Sequence, residues 1–508
     1  MLRNQLRSFE HQYFKSMIDR DDAQSIPDLY ASNIENWIIR NRGELQMRKG
    51  LTARGTNPAA TILGAGVYIK SNGGKKMLRV LDGAGNSAKF QYSDDGLTWS
   101  DVSGGGSKAT STRWAMVQAN DILYAVNGTD TPVKYDGTTM STVVGIPQGT
   151  AIEWWKNFLW VFASPTVKDR LYYSNAADPE TFGGSSYLNI NLGDVSRGVG
   201  IKGTAGLAGR LYVGKERSVW YVTGTSSSDW AISPLTYEHG VASHESMVQL
   251  KNDVWCMDLE GNVRQLYRTQ YDVPLSGLAT KDISMTTANL NKAQLSKVQG
   301  VFYDNYLMMF VPNGVDSYNS LVLVWDTLAN EAKGGWIKFT NWNISYGIVF
   351  NESNTPKLFL FDSRTNNGQA YEWTGTSDNG SSIIAKYETK IYDYGYPDQE
   401  KRYKFAYQFA SAQSTSTTRF YTSIDRYYYT LIASPSLLGT GNKLLGITWT
   451  LGEDKLGSGG FVKVRIPFTD NGGNGIGTTL QTKLEAESST ETLKLQRFVT
   501  HFMLMGLR

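Results

Sequence analysis

The feature that most constrains this chain is a recurring pair of short apolar strands. Each repeat begins with a polar or glycine turn, continues into an apolar strand, and places a second strand about ten residues later. The first apolar residues of the seven repeats are Met77, Ile122, Phe158, Leu211, Val254, Tyr306 and Leu358. Successive repeats lie 36 to 53 residues apart, which is the scale of a four-stranded blade. The spacing therefore predicts a six- or seven-bladed β-propeller over residues 56–380, because radial repetition protects strand edges.

Composition agrees with an all-β chain and excludes several function classes. Gly (51), Tyr (29) and Trp (14) are abundant, as suits strands joined by tight turns. The 50 basic and 47 acidic residues nearly balance, which argues against a duplex-binding face that neutralises phosphates. The one cysteine, Cys256, excludes an intrachain disulfide framework and a cysteine-based zinc cluster. We expect no membrane span and no secretory signal peptide, because long apolar runs are absent.

Residues 1–55 are predicted to form an N-terminal helix followed by an extended arm. Apolar residues three or four positions apart indicate one face of a helix over the first twenty residues. They are Leu2, Leu6, Phe9, Tyr13 and Met17. Such a face needs a partner surface, either on this chain or on another subunit. The arm that follows contains a short strand, a turn and a return strand.

The repeat stops after residue 380, where longer strands predict a second fold type. Residues 381–508 are expected to form a C-terminal β-sandwich of jelly-roll-like size. Between two repeats, residues 285–297 contain neither glycine nor proline and predict an inserted helix.

One local motif supports the propeller. The segment Ser93-Asp-Asp-Gly-Leu-Thr-Trp resembles the Asp box of sialidase-type propellers. In such a turn the carboxylate accepts backbone N–H bonds and the tryptophan packs beneath. We interpret Ser93, Asp95, Gly96 and Trp99 as a structural turn without a catalytic role.

Two further motifs are better explained without chemistry. The segment 198–203 matches GxGxxG, but a strand follows it where a dinucleotide site needs a helix, so a turn between blades is the better interpretation. His239 and His244-Glu245 could suggest a metal pair, yet their spacing does not align on a helix, and loop histidines are the default expectation.

Two polar or aromatic segments also have ordinary explanations. The loop 470–477 has oxygen ligands that suit calcium, although a hairpin tip is the simpler interpretation. Tyr427-Tyr-Tyr and Trp154-Trp could stack on sugars, but packing on a strand face is the commoner role. The sequence thus predicts no catalytic residue, no metal and no cofactor.

Several segments together resemble the tail hub proteins, also called nozzle or tail stabilisation proteins, of short-tailed bacteriophages. The asparagine-rich arm 28–50, which runs into the turn Gly50-Leu-Thr-Ala-Arg-Gly, is similar to the arm that precedes the propeller in that family. Later stretches follow in the same order and are similar to hub blades, the inserted helix and the last strand: 238–248, 285–297, 301–312, 392–405 and 493–505.

The resemblance implies a structural virion protein of the tail that is assembled in the host cytoplasm and is not an enzyme. It implies a homo-oligomeric ring of six copies below the portal and adaptor proteins, which carries tail fibres, spikes or a plug. Double-stranded DNA would pass through the ring without specific binding, and no membrane partner is expected. The alternatives are a glycan-binding propeller adhesin and a sialidase-like glycosidase, which would need an axial pocket with clustered arginines and paired carboxylates.

Overall fold

The computed structural model describes residues 5–40, 43–83, 87–106, 108–109, 112–205, 209–251, 253–268, 274–411, 416–437, 462–468, 475–490 and 492–505. The chain divides into two compact units. The propeller unit comprises residues 53–322 and 341–373, and the terminal unit comprises residues 1–52, 323–340 and 374–508.

The first five strands lie in the predicted arm. They are β1 (Leu6–Gln12), β2 (Ala31–Glu35), β3 (Trp37–Ile39), β4 (Leu45–Met47) and β5 (Leu51–Arg54).

The propeller repeats follow as groups of mostly antiparallel strands. The first three groups are β6 (Ile62–Ile69), β7 (Lys75–Leu81), β8 (Lys89–Ser93) and β9 (Ser100–Asp101); β10 (Ser103–Gly104), β11 (Ala115–Ala119), β12 (Ile122–Val126), β13 (Val133–Tyr135) and β14 (Thr139–Thr142); and β15 (Ala151–Trp155), β16 (Phe158–Phe162), β17 (Arg170–Tyr173) and β18 (Tyr187–Asn189).

The remaining propeller strands form four more groups. They are β19 (Gly198–Gly203), β20 (Leu211–Lys215), β21 (Val219–Thr223) and β22 (Ala231–Thr236); β23 (Val248–Leu250), β24 (Asp253–Met257), β25 (Val263–Arg268) and β26 (Pro274–Leu278); β27 (Gln299–Tyr303), β28 (Tyr306–Pro312), β29 (Asn319–Asp326) and β30 (Gly335–Thr340); and β31 (Ile344–Glu352), β32 (Thr355–Asp362) and β33 (Ala370–Trp373), which β5 completes.

The predicted β-propeller is confirmed. The first strands of the groups, namely β6, β11, β15, β19, β23, β27 and β31, contact one another in a closed ring. Six groups are separate sheets of four or five strands and form six complete blades. The seventh position in the ring is occupied by β27, and the boundary between the two units passes through β29.

Burial explains why the sequence repeat was visible. Each of the seven repeat-defining residues lies in the strand that follows the ring-forming first strand of its blade, for example β12 after β11. These strands are packed on both faces, as β16 and β28 show, where every residue is buried. A strand buried on both faces is a continuous apolar run. Apolar clusters fill the spaces between adjacent blades, for example around Trp160 and Trp220.

The described part of the terminal unit contains two β-sheets. Its later strands are β34 (Ile383–Thr389), β35 (Lys401–Ser411), β36 (Ser416–Ile424), β37 (Thr430–Ala433), β38 (Ser436–Leu437), β39 (Val462–Pro467), β40 (Ile476–Gly477), β41 (Leu480–Ser488) and β42 (Lys494–Leu504). One sheet has the order β3-β4-β42-β35-β39, with β1 on β42 and β40 on β35; the other contains β30-β2-β34-β41-β36-β37, with β38 on β36. Buried and partly buried residues alternate along β41, which is typical of a sheet with one covered face.

The predicted N-terminal helix is wrong. Residues 6–12 form β1, which pairs antiparallel with β42 from Leu6 opposite Met503 to Gln12 opposite Arg497. The backbone groups of this segment are satisfied by a strand almost five hundred residues away, and this pairing overrides the local helical spacing. Residues 5–52 thus contribute β1 to β4 to the two sheets that contain the strands β34 to β42.

Helical structure is confined to short turns among the described residues. The predicted helix 285–297 is broken into α1 (Ser284–Ala288) and a 3₁₀ turn (Lys292–Lys297), preceded by another 3₁₀ turn (Lys281–Ile283). A 3₁₀ turn (His244–Ser246) precedes β23, and α2 (Ala329–Ala332) precedes β30. No helix in the described part of the chain is long and apolar enough to cross a membrane.

Candidate functional site

A polar cavity of about 390 Å³ opens at one end of the propeller ring. Its walls come from segments that immediately precede first strands of the blades, together with residues that follow second strands. The polar and charged lining residues are Thr112, Arg113, Asn127, Thr150, Arg197, Ser243, His244, Glu245 and Ser296. Converging loops on a rigid propeller are a common location for ligand sites.

Arg113 is held rigidly at this cavity. Its guanidinium donates from Nε to the Tyr346 hydroxyl at 2.5 Å and from Nη1 to the Ser296 carbonyl at 3.2 Å. The guanidinium also lies 4.4 Å from the centroid of the Tyr346 ring. Tyr346 in turn donates to the Leu63 carbonyl at 2.9 Å. The cation is therefore oriented before any ligand arrives.

A second charged pair lies beside the cavity. Lys202 on β19 donates to Glu153 Oε2 at 3.1 Å, and the Gly203 N–H donates to Glu153 Oε1 at 3.2 Å. The Glu153 side chain is largely buried on β15. The negative charge of Glu153 raises the pKa of Lys202 above its ordinary value. The buried Glu153 carboxylate thus has a hydrogen-bond partner for each of its oxygens.

His244 and Glu245 are the two titratable groups that the 3₁₀ turn places at the cavity. Burial lowers the pKa of His244 to about 3, with Lys202 contributing in the same direction, so the imidazole is neutral at pH 7. Its Nδ1 accepts the Ile201 N–H at 3.3 Å. Burial raises the pKa of Glu245, although the positive charges of Arg113 and Lys202 oppose this effect.

Glu245 is the candidate reactive group at this cavity. The structure gives its carboxylate no hydrogen bond from any described residue, whereas Arg113, Glu153 and His244 are each engaged. A carboxyl with a raised pKa beside an ion-paired carboxylate is the pattern of an acid and base pair. Among the described residues no group of three or more potential ligands is positioned to hold a metal ion.

The Asp-box-like turn lies between β8 and β9. Asp95 Oδ1 accepts the N–H groups of Leu97 at 2.8 Å and Thr98 at 3.2 Å, and Ser93 Oγ accepts the Gly96 N–H at 2.8 Å. Although partial burial opposes them, these hydrogen bonds hold the pKa of Asp95 below its ordinary value.

The tryptophan of this turn faces the protein. Trp99 donates from its indole to the Gly96 carbonyl at 3.1 Å and packs edge-on against Phe361, with centroids 5.9 Å apart. The Arg79 guanidinium lies 4.1 Å above its ring. A Cβ on Gly96, which has φ +75°, would lie 2.7 Å from Phe359 Cε1. These contacts hold the turn against neighbouring strands of the propeller, as predicted for a structural turn.

Other candidate residues have separate places. The turn predicted over 198–203 is wrong, since this segment forms strand β19. Its glycines allow neighbours such as Phe162 to approach the strand closely. His239 is buried in the loop between β22 and β23. Cys256 is buried in β24, where burial raises the pKa of its thiol. Trp154 lies on β15 and packs against an apolar cluster. Most of the loop 470–477 lies outside the described residues.

The tyrosine run does not pack as expected. Tyr427 and Tyr428 are 76% and 94% exposed, in the turn between β36 and β37. Only Tyr429 packs, and its hydroxyl donates to Glu388 Oε2 at 3.2 Å.

Among the described residues of the propeller unit, most of the exposed large apolar side chains lie at the end that carries the cavity. The loops that join second to third strands and fourth strands to the next blade meet at this end, because the first strands run side by side in the same direction. Seven large apolar residues are exposed in these loops: Val144, Leu192, Val195, Tyr237, Leu259, Met285 and Val315. We call this surface the apolar face. Sequence patterns cannot reveal it, since the residues lie in separate loops.

Comparisons with known proteins give no family. No family model matches the chain, and no curated protein matches it. Among solved structures, YCF48 bound to a D1 peptide shares 10% identity at a TM-score of 0.37, covering 67% of this chain and 96% of that chain. Raptor of Chaetomium thermophilum shares 11% at 0.40, covering 67% and 29%. An exo-β-1,3-galactanase of Phanerochaete chrysosporium shares 10% at 0.28, covering 90% and 100%. Likenesses of this strength carry no argument about function.

Proposed function

We propose that this chain is a structural subunit of a short bacteriophage tail. In this proposal it forms a ring of six copies below the portal and adaptor proteins and anchors fibres, spikes or a plug. The ring continues the channel for double-stranded DNA, which it does not bind specifically. It acts in the virion after assembly in the host cytoplasm, and it has no catalytic turnover.

The apolar face is the observation that carries this proposal. Val315, Val144 and Val195 are 94%, 89% and 84% exposed. Seven large apolar side chains are exposed at this one end of the propeller, and exposed apolar surface is characteristic of protein–protein contact sites. Burial against a neighbouring subunit would stabilise each of these side chains by about 1.5–3 kcal/mol. A closed ring repeats the same contact in every subunit.

The order of the parts along the chain is the second support. An extended arm leads through β5 into a propeller, and a further set of strands ends the chain. This is the order of the hub proteins that the sequence resembles. We further propose that the two sheets of the terminal unit form a β-sandwich, since the rings of Phe420 and Phe498 from different sheets lie 6.2 Å apart.

The test is incorporation of tagged variants into particles. Val144→Asp, Val195→Asp and Val315→Asp together should prevent incorporation while leaving the fold intact, because the side chains are exposed. The matched control is Ile69→Asp with Leu97→Asp at the other end of the propeller, where the exposures are 43% and 48%. Equal incorporation of both variants would contradict a role for the apolar face.

Glu245 favours a second candidate function, glycoside hydrolysis. A general acid with a raised pKa could protonate the leaving oxygen while the ion-paired Glu153 served as base or nucleophile. This candidate predicts release of a fluorophore from aryl glycosides that Glu245→Gln abolishes. If the full chain releases no fluorophore across a panel of such glycosides, the axial carboxylates have only a structural role.

A further inference from the structure

The turn between β36 and β37 displays two tyrosine rings that the fold does not use. Asp425 and Arg426 have φ of 50° and 64°, so the chain reverses tightly, and the Tyr427 N–H donates to the Ile424 carbonyl at 3.1 Å. The side chains of Tyr427 and Tyr428 then project into solvent. Neither ring makes an aromatic or cation–π contact with a described residue, and neither hydroxyl is hydrogen-bonded to one.

Tyr429 shows that the turn itself does not require this exposure. Its hydroxyl binds Glu388, and Lys483 Nζ lies 4.9 Å from its ring centroid. The third tyrosine is therefore anchored to the sheet, and the first two are held out from it. Exposed aromatic side chains have only two χ angles to immobilise, so they bind partners at a low entropic cost.

A pocket of about 240 Å³ lies beside the two rings. Its lining combines apolar groups, among them Ile424 and Ile432, with the polar side chains of Thr430 and Asp425. The surface thus offers flat aromatic rings next to hydrogen-bonding groups. A ligand that fits both needs an apolar face and a polar edge.

Asp425 is a fixed acceptor at this pocket. Its Oδ1 accepts the Thr478 N–H, the Thr478 hydroxyl and the Thr479 N–H, each at 2.8 Å. Although partial burial opposes them, these bonds lower the pKa of Asp425, so it is ionised at pH 7. The structure shows no hydrogen bond from a described residue to Oδ2, so this oxygen keeps its acceptor capacity.

The local charges disfavour a polyanionic ligand. Arg426, the cation of the turn, donates to both carboxylate oxygens of Asp22 at 2.9 Å and to Gln24 Oε1 at 2.8 Å. Its charge is therefore matched within the protein. Single-stranded nucleic acid would require a cationic groove beside the stacking rings, whereas the charged side chain that lines this pocket is the carboxylate of Asp425.

We propose that Tyr427, Tyr428 and Asp425 form a binding site for a neutral glycan. A pyranose ring has C–H groups on one face and hydroxyls around its edge. Its face would stack on the tyrosine rings, and a hydroxyl would donate to Asp425 Oδ2. The carboxylate sets the specificity, because it repels sialic and uronic acids. This inference does not depend on the proposed tail function.

The experiment is a binding titration of the full chain against arrayed neutral and acidic oligosaccharides, followed by saturation-transfer NMR on the best neutral one. We expect saturable binding of neutral glycans. Tyr427→Ala with Tyr428→Ala should weaken it about tenfold or more, which corresponds to about 1.4 kcal/mol. Tyr13→Ala, a substitution of a tyrosine that is 60% exposed on the N-terminal arm, should leave the affinity unchanged.

Asp425→Asn separates stacking from specificity. Asparagine tolerates positive φ and keeps a side-chain oxygen for the Thr478 and Thr479 donors, so the turn should persist while the charge is lost. This variant should bind acidic glycans better relative to neutral ones. Absence of saturable glycan binding by the folded protein would overturn the proposal. The proposal would also be overturned if the double tyrosine variant bound glycans with the affinity of the wild-type protein. A further contradiction would be that the two substitutions abolish binding of a protein partner and affect no glycan.

Discussion

Replacing His11 by phenylalanine should remove a defined part of the acid sensitivity of the terminal unit. His11 lies on β1 in an aromatic cage, stacked on Phe498 with centroids 4.0 Å apart and flanked by Tyr392 at 4.7 Å. It is 3% exposed, and its Nε2 has no hydrogen-bond partner in the part of the chain that the structure describes. Burial lowers its pKa from 6.5 to about 3, because an imidazolium would lose its hydration there.

The size of the effect follows from proton linkage. As the pH falls through 6.5, the unfolded chain protonates His11, whereas the folded protein keeps it neutral down to about pH 3. The unfolded state then binds more protons, so the stability that is complete above pH 6.5 decreases throughout this window. Each pH unit below the unfolded-state pKa lowers the free energy of unfolding by about 1.36 kcal/mol. Since pH 5 lies about 1.5 units below that pKa, the free energy of unfolding is about 2 kcal/mol lower there.

The assay is urea unfolding of the wild-type chain and of His11→Phe at pH 8 and at pH 5. The wild-type protein should lose about 2 kcal/mol more than the variant between the two pH values. Contributions from other groups, including His244, cancel in this double difference. The phenyl ring also removes the unpaired Nε2, so the variant should be at least as stable at pH 5. Equal pH dependence of the two proteins would refute a buried, neutral His11.

Two further substitutions test other parts of the structure. Asp378→Ala removes the bidentate partner of the fully buried Arg48, whose Nη1 and Nη2 donate to it at 2.8 and 2.6 Å. The free energy of unfolding, measured with a chemical denaturant, should fall by about 3–5 kcal/mol. A decrease below about 1 kcal/mol would contradict the ion pair. Gly96→Ala should lower the free energy of unfolding by about 1–3 kcal/mol more than Gly73→Ala does. Both glycines have positive φ, but only Gly96 has a neighbour within reach of a Cβ. Equal melting temperatures of the two variants would contradict the packing of the Asp-box-like turn.

The propeller was predictable because its second strands are buried on both sides. Residues such as Phe158 and Tyr306 begin runs that are wholly apolar and wholly buried, so the repeat survives without any knowledge of pairing. The turn at Asp95 was predictable for a different reason, since its hydrogen bonds are local in sequence.

The N-terminal strand was not predictable from local spacing. Leu6, Phe9 and Tyr13 are compatible with a helix, and the strand partner that decides the matter, β42, is at the other end of the chain. The aromatic cage of His11 is equally nonlocal, since Tyr392 and Phe498 come from distant segments.

Both candidate sites also depend on tertiary placement. The polar cavity at the end of the propeller brings Arg113 together with His244 and Glu245 of another blade. No pattern of spacing in the sequence indicates that these residues are close in space. Tyr427 and Tyr428 are adjacent in the sequence, but the sequence does not reveal that the turn points both rings to solvent while Tyr429 packs.

The most direct test of the tail proposal is immunogold electron microscopy of particles from the culture that produces this protein. Antibodies against the purified chain should label one short tail per particle, at the vertex that joins the capsid. Label on cell envelopes or in the medium, with unlabelled particles, would contradict a structural role in the tail.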